Sequence, residues 1–178
     1  MPMIEKLIAA SFAAAAAAGA GLVNTAAVAP TPAYGLAATS IEADAAARNS
    51  ARVFERADLN NDGALDEEEF AVLAVVTAEL ARLNGFVPIL LEGRMQTVAL
   101  PQRVSESLTK AQKERIAERA QREFAAVAGD DERLVSHEFV GAALESFLSV
   151  DADRNGVLTG PELAAYAQGQ SRLAAVVS

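Results

Sequence analysis

The sequence predicts an all-α fold. Apolar side chains recur at three- and four-residue intervals along most of the chain after residue 40, which is the spacing of an amphipathic helix. Alanine, the strongest helix former, is abundant. Two short acidic segments that contain glycine each lie between stretches of helical pattern. A chain of 178 residues is long enough to bury a core, so we expect one helical domain.

The overall charge limits the classes of partner. The chain carries 24 Asp and Glu against 15 Lys and Arg, a formal net charge of −9 at pH 7. Phosphate backbones and anionic lipids would repel such a protein, so divalent cations are expected partners and nucleic acid is not. The chain has no cysteine, which excludes disulfides, thiolate metal sites and a cysteine nucleophile.

The N-terminal segment has the layout of a secretory signal peptide. Lys6 precedes an uncharged stretch that begins with an apolar, alanine-rich run and leads to the small-x-small sequence at residues 27–29. We therefore expect residues 1–29 to be a signal peptide and the protein to be periplasmic or secreted, in a bacterium. An uncleaved anchor or a soluble alanine-rich helix are the alternatives, and the last of these implies a cytoplasmic protein. The run is short and weakly hydrophobic, so no stable membrane span is expected.

The remaining chain divides by pattern into a linker, a folded domain and a tail. Residues 30–39 are predicted to be a linker, residues 40–170 the domain, and residues 171–178 a C-terminal tail. Within the domain, residues 85–101 are apolar and contain proline and glycine, which predicts an irregular connector. Helices are predicted over residues 41–57, 67–83, 102–128, 136–150 and 161–170.

The same spacing predicts which helical faces are buried. In the second helix the buried side is expected to consist of Phe70, Leu73, Val76 or Thr77, and Leu80. In the long third helix it is expected to consist of Val104, Leu108, Ile116, Ala120, Phe124 and Val127.

One internal repeat carries the chemistry. Residues 58–69 align without a gap on residues 151–162, and an aromatic residue precedes each copy by four positions. A hard cation such as Ca²⁺ takes about six to eight oxygen ligands in flexible geometry, which a 12-residue turn can supply from positions 1, 3, 5, 7, 9 and 12. The predicted metal ligands of the first loop are Asp58, Asn60, Asp62, the Ala64 carbonyl, Asp66 and Glu69. Those of the second loop are Asp151, Asp153, Asn155, the Val157 carbonyl, Thr159 through water, and Glu162.

Two further positions in each loop fit this interpretation. Gly63 and Gly156 occupy position 6, where the chain turns sharply and a positive φ is least costly for glycine. Glu69 and Glu162 can each offer two oxygens, which favours Ca²⁺ over the smaller, octahedral Mg²⁺.

On these residues the sequence resembles the EF-hand family, because both loops match the pattern D-x-[DN]-x-[DN]-G-x₅-E at every ligand position. With its alanine-rich leader, the chain looks most like the small exported EF-hand proteins of bacteria. The resemblance implies two Ca²⁺ ions per chain and a role as an exported calcium buffer or sensor. The alternative is a calcium-stabilised structural or protein-interaction module without a regulatory switch.

A sensor would expose an apolar groove to a protein target. Sensors of the calmodulin kind line that groove with methionine, but Met95 is the one methionine that follows the predicted signal peptide. The apolar connector at residues 85–101 could cover such a groove in the absence of calcium.

A third, degenerate copy of the loop precedes the second intact one. Residues 129–139 keep the apolar Leu134 and the terminal Glu138, but the first ligand and the glycine are missing. Two registers are open: a 12-residue loop that begins at Val127, or a loop one residue shorter. We expect no tight Ca²⁺ site here and expect this loop to pair with residues 151–162. The partner of residues 58–69 stays open between the degenerate loop, the last loop and a second molecule.

The two intact loops are expected to differ in affinity, and no catalytic site accompanies them. The first loop has four ligand carboxylates and the second has three, which predicts tighter binding by the first if both are equally well supported. His137 lacks the partners that catalysis or zinc binding would need. We therefore do not expect an enzyme.

Overall fold

The computed structural model describes residues 35–91, 93–104 and 106–177. The predicted signal peptide at residues 1–29 lies outside them. The helices are α1 (Ala43–Ala57), α2 (Glu67–Asn84), α3 (Lys110–Ala128), α4 (Ser136–Val150), α5 (Gly160–Gln170) and α6 (Ala174–Val177), with a 3₁₀ turn at Gly129–Asp131. The strands are β1 (Leu36–Ala37), β2 (Ser40–Glu42), β3 (Ala64–Leu65), β4 (Phe86–Leu91), β5 (Arg94–Ala99), β6 (Leu134–Val135) and β7 (Val157–Thr159).

The all-α prediction is therefore wrong, because the helices are accompanied by strands in three small sheets. The largest departure is at residues 85–101, where the predicted irregular connector is an antiparallel hairpin of β4 and β5, extended by β1 parallel to β5. Val87 and Ile89 are buried while Pro88 between them is exposed, which is the two-residue alternation of a strand. Strand β4 lies at the edge of the sheet, where a proline is tolerated.

Helix α1 packs along α4, and the strand pairs at their ends show that the two helices are antiparallel. Strand β2, which leads into α1, pairs with β7, which follows α4. Strand β3, which follows α1, pairs with β6, which leads into α4. The rings of Phe54 and Phe139, near the β3–β6 end, have centroids 5.9 Å apart. The two helices are therefore joined at both ends by strand pairs, and each end has its own apolar cluster.

Helix α2 buries only part of the face that was predicted: Phe70 is buried and Leu73 is partly buried. Val76 and Leu80 are 49% and 50% exposed. The buried side chains of α2 are Glu69, Phe70, Ala71, Ala74, Ala78 and Ala81. Helix α2 packs against α3, and small side chains at a helix contact allow the axes to approach closely. Beyond Phe70, the helix therefore buries its alanine side in place of the predicted Val76 and Leu80.

Helix α3 begins eight residues later than predicted, at Lys110 rather than at residue 102. The Thr109 hydroxyl accepts the Gln112 N–H at 3.3 Å, and the Gln112 side chain accepts the Thr109 N–H at 2.9 Å, which forms a capping box. Glu79 of α2 accepts the Leu108 N–H at 2.9 Å, and this bond is the main reason that the pKa of Glu79 is lowered. This bond attaches Leu108, just before α3, to α2.

The residues that were predicted to be a C-terminal tail pack against the α2–α3 cluster. Ala175 is buried there and Leu173 is partly buried. The Arg172 guanidinium forms a short ion pair with Glu123 and lies 5.6 Å from the centroid of the Phe70 ring. Glu123, which is 9% exposed, also accepts from Arg119 at 3.0 Å. A buried carboxylate thus attaches the end of the chain to α3.

Replacing Glu123 with Gln should destabilise the fold by about 1–3 kcal/mol, because two buried charge-assisted hydrogen bonds lose their acceptor charge. Urea unfolding monitored by circular dichroism measures the change. The matched control is Glu114→Gln, since Glu114 is largely exposed and its pairing with Lys110 is a surface contact worth at most about 1 kcal/mol. Equal midpoints for the two variants would contradict the role given to Glu123.

Candidate metal centre

The first loop is organised by hydrogen bonds from its own backbone to its acidic side chains. The two Asp58 carboxylate oxygens accept the N–H groups of Asp62 at 3.1 Å and Gly63 at 3.0 Å. The Asn60 side-chain oxygen accepts the same Asp62 N–H at 2.8 Å, and Asp62 accepts the Ala64 N–H at 3.0 Å. These bonds wrap the loop backbone around its carboxylate and amide oxygens.

Glu69 closes this loop from the first turn of α2. One carboxylate oxygen accepts the N–H groups of Leu59 at 2.9 Å and Asn60 at 3.2 Å, and the other accepts the Asp66 N–H at 3.1 Å. Asp66 in turn accepts the Glu69 N–H at 2.8 Å, which completes a capping box at the start of the helix. Position 12 therefore contacts both ends of the loop, and its side chain is buried.

The second loop repeats this arrangement. Asp151 accepts the N–H groups of Asn155 at 3.2 Å and Gly156 at 2.9 Å, and Asp153 also accepts from Asn155 at 3.1 Å. Glu162 accepts the Ala152 N–H at 3.0 Å, so it closes this loop as Glu69 closes the first. Two 12-residue segments that are far apart in sequence thus adopt one hydrogen-bonding scheme.

In the second loop, three acidic side chains converge. Asp151, Asp153 and Glu162 each offer a carboxylate oxygen that lies within 4.8 Å of the others. Asp151 is only 4% exposed, so its negative charge is poorly solvated unless a cation or amide groups balance it. Three carboxylates are hard oxygen donors, which fit a calcium-sized cation.

The backbone of each loop has the predicted left-handed turn at position 6. Gly63 has φ = 85° and Gly156 has φ = 76°. Position 4 is also left-handed in both loops, with φ = 57° at Asn61 and at Arg154. The sequence analysis predicted neither of these two position-4 angles.

The pairing of the loops differs from the prediction. The degenerate loop pairs with the first intact loop, through Leu134 opposite Leu65, and not with residues 151–162. The second intact loop pairs instead with strand β2, through Ile41 opposite Leu158. All four of these side chains are at most 1% exposed. Each intact loop therefore has a partner that lacks the ligand pattern, and a second molecule is not needed.

The register of the degenerate loop is the 12-residue one that begins at Val127. Leu134 lies opposite position 8 of the first loop, so Glu132 falls at position 6 and Glu138 at position 12. Glu132 has φ = 54°, as a glycine at that position would, and Glu138 accepts the Val135 N–H at 3.1 Å. The first two positions of this loop belong to α3. This loop therefore shares backbone features with the intact loops but lacks their ligand residues.

Arg133 is a residue of this site that sequence reasoning missed. Its guanidinium Nη2 lies 3.1 Å from a carboxylate oxygen of Asp62, the position-5 ligand candidate of the neighbouring loop. The sequence could have indicated this contact only if the loop pairing had been predicted correctly. His137 is exposed at the start of α4, next to Glu138.

The comparison with protein families supports the EF-hand resemblance of the first loop. A model of the EF-hand family matches residues 51–74, which span the end of α1, the loop and the start of α2. None of the curated proteins and none of the solved structures matches the chain. The family match supports an EF-hand relationship for this segment and suggests calcium binding. None of the described helices is long and apolar enough to cross a bilayer.

Replacing Glu132 with Gly or Asn should stabilise the protein by about 0.5–1 kcal/mol, because a left-handed backbone is strained for most residues and is less so for these two. Thermal unfolding in chelator measures the effect. The control is Glu132→Ala, which removes the same charge but keeps the backbone penalty and should leave the midpoint unchanged or lower. If Glu132→Ala raised the unfolding midpoint as much as Glu132→Asn, the stabilisation would come from removal of the charge and not from relief of backbone strain.

Proposed function

We propose that the chain is a calcium-binding protein that takes one Ca²⁺ in each of the loops 58–69 and 151–162. The observation that carries the proposal is the shared loop geometry, in which position 1 caps the turn at position 6 and the glutamate at position 12 closes the loop. Binding would exchange acidic repulsion within each loop for coordination by the same oxygens. No step of this function needs a catalytic group, and we propose no enzymatic activity.

Among calcium-binding roles, we favour a buffer over a sensor. Segments of the chain itself already pack into both apolar clusters. Ala175 of the C-terminal segment lies in one cluster, and Val87 and Ile89 of the β4–β5 hairpin lie in the other. A sensor needs a groove that opens to a protein target, and here opening would have to displace one of these segments. The hairpin occupies the part of the chain that was predicted to cover a groove.

A calcium-stabilised structural module is the second candidate, and the burial of Glu69 and Asp151 favours it. These side chains are 7% and 4% exposed, and each lies where a helix joins its loop. A bound cation would offset their desolvation, so calcium would raise the stability of the whole fold.

Two calcium ions should bind per chain, and each glutamate at position 12 should control one of them. In calorimetric titrations the stoichiometry should fall from two to one for Glu69→Gln and for Glu162→Gln, because each variant loses a bidentate ligand. Glu68→Gln is the matched control, because Glu68 is exposed and its substitution removes the same charge at the position next to Glu69. Its stoichiometry should stay at two.

Calcium titrations followed by circular dichroism and by dye binding distinguish the buffer, structural and sensor roles. Unchanged far-ultraviolet circular dichroism with and without calcium, and unchanged binding of a dye for apolar surface, are expected for a buffer. Loss of helicity in chelator would instead favour the structural module, and calcium-induced dye binding would favour the sensor. Absence of calcium binding at either loop would overturn the proposed function.

Export of the protein is proposed on the signal-like pattern of residues 1–29 alone. An exported protein meets high calcium concentrations, so dissociation constants on the order of 10⁻⁴–10⁻³ M would suffice. Mass spectrometry of the chain expressed in a bacterium should give a mature form that lacks residues 1–29 and is found outside the cytoplasm. A full-length cytoplasmic product would contradict export and leave the loops' function unaffected.

A further inference from the structure

We propose that Arg133, supplied by the degenerate loop, competes with calcium for Asp62 and keeps the affinity of loop 58–69 below the value that its four carboxylates would give. The proposal rests on the proposed function, because it concerns the regulation of the same site. The degenerate loop would then act on its intact partner through charge as well as through strand pairing.

The contact joins a cation to a candidate ligand atom. Arg133 Nη2 lies 3.1 Å from Asp62 Oδ1. That oxygen also accepts the Ala64 N–H at 3.0 Å, which orients it within the loop. An ion that used this oxygen would have to displace the guanidinium or bind beside it. Either course weakens binding, because an ion pair is lost or because two positive charges lie close together.

The pairing register explains why this arginine reaches the loop. Strands β3 and β6 place Leu134 opposite Leu65, so the next pair along the same register sets Arg133 opposite Asp66 at position 9. Arg133 therefore begins beside one ligand candidate and extends its side chain to another. The position follows from the fold, and the short β3–β6 ladder holds it.

The second intact loop has the same strand-pairing geometry, but no arginine lies opposite its position 9. Ser40 lies opposite Thr159, which is position 9 of that loop, so a serine occupies the place that Arg133 has beside the first loop. Position 5 there is Asn155, whose side-chain amide donates to Asp153 at 2.8 Å. The first loop thus has one more acidic ligand and also has Arg133 beside it, and these two features act in opposite directions on its affinity. The second loop differs further in carrying Arg154 at position 4, where the first has Asn61.

The expected effect is moderate, because the pair is half exposed. The side chains of Arg133 and Asp62 are 50% and 41% exposed, and water and salt screen such pairs. Removing the arginine should therefore tighten calcium binding by about twofold to fivefold at low ionic strength. The gain should shrink as salt is added.

The test measures loop 58–69 alone in the full chain that carries Glu162→Gln. Calorimetric titration with CaCl₂ compares this chain with one that also carries Arg133→Ser, which copies Ser40, and one that carries Arg133→Gln, which keeps more of the side-chain length. The matched control is Arg94→Ser, which removes one positive charge from an exposed position on strand β5. Urea unfolding in chelator shows whether each variant is folded.

We expect about twofold to fivefold tighter binding for both Arg133 variants at low salt, a smaller difference at high salt, and no change for Arg94→Ser. Equal or weaker binding by both folded Arg133 variants would overturn the proposal and leave the proposed function standing. The same gain for Arg94→Ser would also overturn it, because the effect would then belong to net charge. No calcium binding by the Glu162→Gln chain would reject the first loop as a site altogether.

Discussion

The structure depends on the strand pairing between each intact loop and a partner that lacks the ligand pattern. The apolar residues at the centre of each pair, Leu65 with Leu134 and Leu158 with Ile41, are completely buried. Since the two pairs lie at opposite ends of the antiparallel helices α1 and α4, the loops are separated by about one 15-residue helix, roughly 22 Å. Two bound ions would not interact directly through a shared sheet. Any coupling between them would pass along α1 and α4.

The two ends of the molecule are covered by unrelated segments. At the β3–β6 end, the alanine side of α2 packs against α3 and the C-terminal residues, with Arg172 attached to the buried Glu123. At the β2–β7 end, the hairpin supplies Val87 and Ile89, which pack in the same cluster as Phe147 and Tyr166. Burial of Tyr166 in this cluster raises the pKa of its hydroxyl to about 12. Opening either end would expose packed apolar surface, and this cost is the ground for proposing a buffer rather than a sensor.

The degenerate loop has structural roles although it lacks the ligand pattern. The loop at residues 127–138 keeps its left-handed position 6 at Glu132 and its closing bond from Glu138, so it preserves the shape that a strand pair requires. At the same time Arg133 brings a positive charge to the acidic loop beside it. An acidic chain thereby gains a local charge balance that its formal net charge of −9 does not reveal. The degenerate loop thus lacks the ligand pattern, but it contributes a strand pair and a positive charge to the neighbouring loop.

The sequence alone determined the local features of this protein. Loop length, the glycines at position 6 and the closing glutamates are set by interactions within 12 residues, and α4 runs over residues 136–150 as its spacing predicted. Tertiary structure decided the rest. The hairpin forms because Val87, Ile89 and Val98 are buried by other elements. The local pattern of residues 85–101, with its prolines and glycines, predicted irregular chain instead. The pairing of the loops depends on the antiparallel approach of α1 and α4, which brings together residues about 70 to 120 positions apart. Such contacts leave no periodic trace in the sequence, because each strand contributes only two or three residues.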